Sequence, residues 1–126
     1  MGVSWNVILL DEVDAWLLSL AEEEPDLADR VVAAVNRLEV AGPTLGRPLV
    51  DCIKGSAVHN MKELRPRTSG TTAVRILFVF DPARQAVLLV AGDKAGHWQR
   101  WYEENVPLAE SRYQRWLDGG YDVERG

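Results

Sequence analysis

The sequence contains a single cysteine, Cys52, and no long apolar segment. One cysteine excludes an internal disulfide and is compatible with a reducing compartment. The longest apolar run is about six residues, far short of the ~20 that a membrane-spanning helix needs. The first residues lack both the basic region and the apolar stretch of a signal peptide. We therefore predict a cytoplasmic protein that does not cross a membrane.

Histidine is also scarce, and no spacing of cysteine and histidine is typical of a zinc site. No glycine-rich phosphate loop follows a strand, and no nucleophile elbow is present. We therefore predict neither a metal nor a cofactor. The two histidines, His59 and His97, flank the predicted sheet at what we expect to be one end. An imidazole there can act as acid or base, although a lone histidine is more often a surface or capping residue.

The charges of this 126-residue chain are distributed unevenly. Its length predicts one domain, residues 1–126, with its own hydrophobic core. The net charge of −5 argues against nucleic acid, but residues 1–43 have a net charge of −7, residues 44–102 of +5 and residues 103–126 of −3. The basic middle predicts a positive surface that can bind phosphates. The alternative is that the helices are simply acidic and the sheet is not.

Two amphipathic helices are predicted after a short apolar strand that runs from Trp5 to Leu10. Asp11 is the predicted N-cap of the first helix, and Pro25 is the predicted first residue of the second. Their apolar residues recur at i, i+3, i+4 and i+7, which is typical of a helical hairpin packed on a sheet. The glycine- and proline-containing segment 44–57 predicts a connecting loop. Aromatic residues at helical spacing follow the sheet, and Pro107 predicts the start of a last helix.

Three apolar, β-branched runs predict an antiparallel β-meander. They are Val58–Pro66, Ala73–Phe80 and Ala86–Ala91. The fold class is therefore α+β, a small antiparallel sheet packed against an N-terminal helical hairpin, with C-terminal helices. In the central strand, the predicted core face consists of Ile76, Phe78 and Phe80.

Two arginines in this meander are unusually placed. Arg65 and Arg75 are equidistant from the turn residue Gly70, so we expect them to face each other across the hairpin, where like charges repel. Arg75 also alternates with apolar residues of the central strand. Arginines in such positions need an anionic partner, which is either a carboxylate of this chain or an external phosphate.

Four segments of the chain occur in an order and spacing that resemble a known family. They are Met61–Arg65, Val74–Phe78, Val87–Lys94 and Val106–Glu110, the last followed by Tyr113. With the preceding strand and two helices, they resemble the RelE/ParE toxin superfamily, in particular its phage-derived HigB-like branch. The resemblance implies a RelE-like fold, a ribosome-dependent endoribonuclease and a helix-turn-helix (HigA-like) antitoxin encoded beside it. It further implies that Arg65, Arg75 and Lys94 occupy the family's basic site positions. The lysine pair common after the last strand is here Asp93-Lys94-Ala95.

Cleavage of RNA by its own 2′-hydroxyl requires a group that removes the hydroxyl proton, positive charge on the transition state and a proton for the leaving oxygen. Arg65 and Arg75 are expected to stabilise the charge, because a guanidinium is planar and charged at any working pH. Proton transfer would be left to Lys94, His59 or His97. The expected substrate-binding residues are the other basic and aromatic side chains of this region: Lys62, Arg67, His97 and Trp98.

The leading hypothesis is therefore a toxin that cleaves messenger RNA on the ribosome. One alternative is a ParE-like inhibitor of DNA gyrase, and another is a catalytically silent interaction module whose basic sheet holds an acidic partner. The paired arginines favour the nuclease, whereas Asp93 favours the alternatives. The acidic helical hairpin is expected to face a basic surface of the antitoxin, with an association rate that falls as salt rises.

Overall fold

The computed structural model describes residues 4–121, in which one strand and two helices precede four consecutive strands and a last helix. In chain order the elements are β1 (Asn6–Leu9), α1 (Asp11–Glu23), α2 (Pro25–Ala41), a 3-10 turn (Gly42–Thr44), β2 (Val50–Cys52), β3 (Lys62–Leu64), β4 (Val74–Asp81), β5 (Gln85–Asp93) and α3 (Trp98–Leu117). The α+β class is thereby confirmed. No helix in this part of the chain is long and apolar enough to span a membrane.

The strands form one five-stranded sheet in the order β1-β5-β4-β3-β2. Strands β2 to β5 pair antiparallel, and β1 pairs parallel with β5. The predicted meander is present, but its first strand is only Lys62–Leu64, because the chain from Val58 to Asn60 forms bends and a turn. The prediction of a connecting loop over 44–57 is wrong at β2. This three-residue edge strand owes its conformation to pairing with β3 rather than to its own propensity.

The helical hairpin covers one face of the sheet. The largest buried side chains of this layer include Leu38 of α2 and Phe78 and Leu88 of the central strands. Pro25 is at the start of α2, as predicted. The prediction that Asp11 is an N-cap is wrong: Leu10 occupies that position with an extended backbone, and no side chain caps the helix. Asp11 is instead in the first turn, where its negative charge interacts favourably with the helix dipole.

The opposite face of the sheet is covered by α3, a helix of 20 residues. The prediction that a helix starts at Pro107 is wrong, because Pro107 lies inside α3. A proline there removes one backbone hydrogen bond, but Trp101, Ala109 and Trp116 on either side of it are all buried against the sheet. Trp101 approaches β5 so closely that a Cβ at Gly92 would lie 2.8 Å from the indole nitrogen, which explains the glycine.

The central strand β4 separates the two cores. Ile76 and Phe78 are buried on the hairpin side with Phe80 packed beside them, which confirms the predicted core face. Leu77 and Val79 are buried on the α3 side. Arg75 precedes them near the start of β4, where its side chain is 17% exposed.

Candidate functional site

The α3 side of the sheet contains one buried charged residue, Glu63, whose side chain is only 2% exposed. Glu63 is the middle residue of β3, where it pairs with Asp51 of β2 and Leu77 of β4. Alternation along β3 directs it to the same face as Met61, which packs in the core beneath α3. A carboxylate buried to this extent needs charged or hydrogen-bonding partners.

Three side chains converge on the two oxygens of Glu63. Arg65 donates from Nε to Oε1 at 2.7 Å, and the hydroxyl of Tyr102 donates to Oε2 at 2.5 Å. The Nε atom of Arg75 is 3.9 Å from Oε1. Together with Lys94, whose Nζ is 5.2 Å from the centre of the Tyr102 ring, these residues form what we call the Glu63 cluster.

The two arginines of the cluster follow the spacing predicted from the sequence. The β3–β4 ladder ends at the pair Leu64 and Ile76, and the next positions along this register are Arg65 and Arg75. Their mutual repulsion is offset by carboxylates, because Glu63 is close to both. The anionic partner that these arginines need is therefore present within the chain.

Arg65 and Arg75 nevertheless differ in how their donors are used. Arg65 is bound at both ends, because its Nη2 also contacts Asp51 at 3.1 Å. The Nη1 of Arg75 donates to the carbonyl of Val74 at 2.8 Å. Its Nε is buried and has no hydrogen-bond partner among residues 4–121. Arg75 thus has a donor, 3.9 Å from Glu63, that no atom of the described residues accepts at hydrogen-bond distance.

The carboxylate of Asp51 holds Arg65 from outside the cluster. It also contacts the Nε of Arg47 at 3.1 Å. The backbone N–H of Cys52 and the side chain of Arg47 lower the pKa of Asp51 below its ordinary value. Asp51 therefore remains ionised and fixes the orientation of Arg65 over a wide pH range.

Lys94 and Tyr102 have perturbed acidities. Burial lowers the pKa of Lys94, and the positive charges of Arg75 and Arg65 act in the same direction, against an opposing effect of Glu63. Burial and the hydrogen bond to Glu63 raise the pKa of Tyr102 to about 12. Near neutral pH the phenol is therefore protonated, while Lys94 has an enlarged neutral fraction.

Asp93, which ends β5 just before Lys94, has a local backbone role. Its Oδ1 accepts hydrogen bonds from the N–H groups of Ala73 and Ala95, both at 2.9 Å. The backbone N–H of Lys94 also bonds to the carbonyl of Ala73. These bonds tie the end of β5 to the start of β4 and position Lys94 at the edge of the cluster.

The two histidines that were predicted as site residues lie outside the Glu63 cluster. His59 is exposed in the turn before β3. His97 is exposed at the N-cap of α3 and lines a shallow depression together with Trp98. Trp98 is 61% exposed, and its ring centre is 6.0 Å from the Nζ of Lys94, so it flanks the cluster.

Lys62 and Arg67 also point away from the cluster. Lys62 alternates with Glu63 and therefore lies on the other face of β3, where its Nζ is 3.5 Å from the Sγ of Cys52. Arg67 is exposed and lines a groove beside α2. Of the eight residues predicted from the sequence, the structure brings together Arg65, Arg75 and Lys94, with Trp98 at the margin.

Sequence reasoning missed three members of this region, namely Glu63, Asp51 and Tyr102. Glu63 could have been found, because it is two residues from Arg65 and so shares its strand face. Tyr102 is four residues after Trp98 on a helix, a spacing that places both on one side of it. No signal pointed to Asp51, because β2 was not predicted. Among residues 4–121, no group of three or more His, Cys, Asp or Glu side chains is arranged to hold a metal.

Comparison with known proteins connects this geometry to a family. Residues 15–114 match the model of the family described as "Phage derived protein Gp49-like (DUF891)". The chain is 53% identical over 111 residues to "Putative toxin HigB3" of Mycobacterium tuberculosis, an alignment that covers 88% of this chain and 92% of that protein.

A second relative from the same organism, "Putative toxin HigB2", is 48% identical over 116 residues, which cover 92% of this chain but 56% of the relative. No solved structure matches the chain. The family match spans most of the sequence and includes every residue of the Glu63 cluster. The chain therefore belongs to the phage-derived Gp49-like family and is a HigB-like toxin homologue.

Proposed function

We propose that this chain is the toxin of a type II toxin–antitoxin system, and that it acts in the cytoplasm by cleaving messenger RNA on the ribosome. The names of the two mycobacterial relatives support the toxin assignment. The nuclease activity rests on the chemistry of the Glu63 cluster. The proposed partners are the ribosome with its messenger RNA and a helix-turn-helix, HigA-like antitoxin.

The observation that carries the nuclease proposal is the unsatisfied Nε of Arg75. It is buried within 4 Å of a carboxylate, yet it makes no hydrogen bond within the described part of the chain. The Arg75 side chain is 17% exposed, so a phosphate can approach the outer part of this guanidinium. A fixed positive charge there can stabilise the charge that develops during cleavage, and such groups often supply the largest catalytic effect. Glu63 holds this donor in place but does not use it.

The reaction consists of one displacement with two proton transfers. The neutral form of Lys94 takes the proton of the ribose 2′-hydroxyl, and the O2′ atom forms a bond to the adjacent phosphorus. The bond from phosphorus to the 5′-oxygen breaks, and that oxygen leaves with a proton donated by the Tyr102 phenol. The products are a 2′,3′-cyclic phosphate and a 5′-hydroxyl end. Arg65 and Arg75 stabilise the doubly charged phosphorane between them.

Several side chains around the cluster can orient the RNA. The exposed indole of Trp98 offers a surface on which a base can stack. His97 borders the same depression, so it can contact the phosphate next to that base. Lys62 and Arg67 lie on other surfaces of the sheet, where they can contact only more distant parts of the RNA or of the ribosome.

One observation favours the silent interaction module as a second candidate. Both ends of Arg65 are bound by carboxylates of the chain, which is what a purely structural ion-pair network would show. In that case the cluster would only stabilise β2 and β3. Arg75 distinguishes the two candidates, because its Nε is 3.9 Å from Glu63 and makes no hydrogen bond within the described residues.

The test compares induced expression of the wild-type chain with that of Arg75→Gln. The wild type should arrest growth and produce cuts inside translated messages with 5′-hydroxyl ends. Loss of one transition-state donor should slow cleavage about 10²–10³-fold. Arg84→Gln, which changes an exposed arginine at the β4–β5 turn, should cleave normally.

Urea unfolding of each variant shows whether its fold is intact. Growth arrest with intact messages but altered DNA topology would favour gyrase inhibition instead. Absence of growth arrest would favour the silent module. An Arg75→Gln chain that is unfolded would assign Arg75 to the structure rather than to catalysis.

A further inference from the structure

A second basic surface lies on the other side of the β2–β3 edge. It is a groove of about 540 Å³ between α2, the segment 45–49 and the end of β3. We call it the arginine groove, because five arginines line it: Arg30, Arg37, Arg47, Arg65 and Arg67. Pockets of this volume typically bury a drug-sized ligand, so a few side chains of a partner can fill this one.

The contribution of α2 to this groove is unexpected for an acidic hairpin. Residues 1–43 contain nine acidic side chains and only two basic ones, Arg30 and Arg37. Both basic residues line the groove. They are seven positions apart, which places them two turns apart on one face of α2, with Ala33 and Ala34 between them. The hairpin therefore directs all of its positive charge to this one surface.

Most of this charge is not neutralised within the protein. The ion pairs of the groove involve Arg47 and Arg65, both of which contact Asp51. Among residues 4–121, no ion pair involves Arg30, Arg37 or Arg67. The only hydrogen bond between two of these arginines runs from Arg30 to the carbonyl of Arg67, at 3.5 Å. A concave surface with several unpaired guanidinium groups attracts anionic partners.

The other lining residues are aliphatic or glycine. They are Ala33, Ala34, Leu45, Gly46, Pro48 and Leu49. Proteins that bind single-stranded RNA generally stack its bases on aromatic rings, and no aromatic residue of the described chain lines this groove. The exposed aromatic residue suited to that role, Trp98, is beside the Glu63 cluster. An aliphatic floor with a cationic rim fits a peptide that carries apolar and acidic side chains together.

We propose that the arginine groove is the docking site for an acidic, amphipathic segment of the antitoxin, which inserts apolar side chains between Ala33 and Leu49 and pairs its carboxylates with Arg30 and Arg37. This proposal rests on the proposed function for the existence of the antitoxin. It also differs from the expectation that the acidic hairpin faces a basic surface of the antitoxin. In this proposal α2 contacts the antitoxin through its two arginines rather than through its acidic residues.

The position of Arg65 links docking to inhibition. Arg65 lines the groove and also bonds to Glu63 within the cluster. A carboxylate of the docked segment competes with Asp51 and Glu63 for this guanidinium. Docking thus removes one of the two arginines that stabilise the transition state, without the partner having to cover the cluster.

The test uses purified chains and the full-length antitoxin encoded by the neighbouring gene. The double variant Arg30→Glu/Arg37→Glu should bind this antitoxin about 100-fold more weakly or worse, because each change replaces a charge-assisted pair with a repulsion. The matched control, Lys54→Glu/Arg84→Glu, changes the net charge equally outside the groove and should bind like the wild type. In cells, the antitoxin should fail to neutralise the groove variant and should neutralise the control.

Three results would overturn the proposal. They are equal affinities of the groove variant and the control, a wild-type chain that does not bind the antitoxin, and a groove variant that loses RNA cleavage but keeps its affinity for the antitoxin. The last result would assign the groove to RNA. Urea unfolding verifies that both variants are folded, and single reversals at Arg30 or Arg37 replace the double variant if it is not. The binding measurement needs no nuclease activity, so failure of the nuclease proposal is recognised separately, by absence of RNA cuts.

Discussion

The Glu63 cluster and the arginine groove are two basic surfaces that share Arg65. They differ in whether their arginines are paired with carboxylates. In the cluster, Arg65 and Arg75 both lie within 4 Å of the buried carboxylate of Glu63. In the groove, Arg30 and Arg37 have no carboxylate partner within residues 4–121 and are exposed. The same residue type is therefore paired with a carboxylate in one place and lacks such a partner in the other.

This difference relates to what each surface can do. Arginines held by carboxylates lose little freedom when a reacting phosphate arrives, which is the requirement for stabilising a transition state. Unpaired arginines on a concave surface keep their full charge and so favour the approach and docking of an acidic partner. Four variants test how far the contrast extends, from the strongest expected effect on stability to the weakest.

The largest effect is expected for Glu63→Gln, which removes the charge that the cluster is built around. The neutral amide leaves Arg65 and Arg75 without their shared carboxylate, and breaking a buried ion pair from one side is strongly destabilising. We expect a loss of about 3 kcal/mol in the free energy of unfolding, because Arg65 is 32% exposed and can recover some hydration. Urea denaturation measures this difference.

Glu103→Gln on the exposed side of α3 is the matched control and should change stability by less than about 0.5 kcal/mol. A Glu63→Gln chain as stable as this control would show that the cluster arginines do not depend on Glu63. The distinction between arginines that are paired with a carboxylate and those that are not would then have no effect on stability.

The second prediction compares two arginines that are two residues apart in the sequence. Arg65→Ala leaves one oxygen of the buried Glu63 without its closest donor and should cost about 2 kcal/mol of stability. Arg67→Ala removes an exposed side chain from the groove and should cost less than about 0.5 kcal/mol. Equal losses in thermal or urea unfolding would contradict the assignment of Arg65 to a fixed network.

The main elements of the fold follow from local patterns. The apolar stripes of α1 and α2 and the alternation in β4 and β5 predict helices and strands because each element buries one continuous face. The errors lie where tertiary contacts override local preference. Strand β2 forms only through pairing with β3, and α3 continues through Pro107 because Trp101 and Trp116 are both buried.

The candidate site was predictable where backbone geometry alone brings residues together. Arg65 and Arg75 meet because the hairpin is symmetrical about Gly70, and Lys94 follows the strand that pairs with β4. Tyr102 arrives from α3, so its contact with Glu63 depends on how that helix packs. The sequence indicated that an anion was needed, but burial of Glu63 at 2% exposure is a property of the assembled sheet.

The third prediction concerns Tyr102→Phe, which removes the donor to Glu63 Oε2 while leaving Arg65 in place. The lost hydrogen bond should cost about 1 kcal/mol at neutral pH. The folded protein holds the pKa of Tyr102 at about 12, above its ordinary value of 10.0. Its contribution to stability is therefore complete below pH 10 and is lost as the pH rises towards 12.

The wild type should accordingly lose stability more steeply than Tyr102→Phe between pH 10 and pH 12, as measured by urea unfolding at each pH. Tyr113→Phe serves as the control for burial alone, because the pKa of Tyr113 is raised chiefly by burial and then by Asp81, without Glu63. The change in slope should therefore be smaller for Tyr113→Phe than for Tyr102→Phe. Parallel curves for the wild type and Tyr102→Phe would remove Tyr102 from the network around Glu63.

The smallest effect is expected when both groove arginines of α2 are neutralised in Arg30→Gln/Arg37→Gln. Neither side chain has an ion pair in the described chain, so the free energy of unfolding should change by less than about 0.5 kcal/mol. The variant should also respond less to salt than the wild type, because screening relieves repulsion among the groove arginines. A loss above about 1 kcal/mol would mean that the aliphatic stems of these arginines cover Ala33 and Ala34 as part of the core. The arginines of the groove would then stabilise the fold by packing, whereas those of the Glu63 cluster stabilise it by ion pairs. The groove would in that case not be an open docking surface.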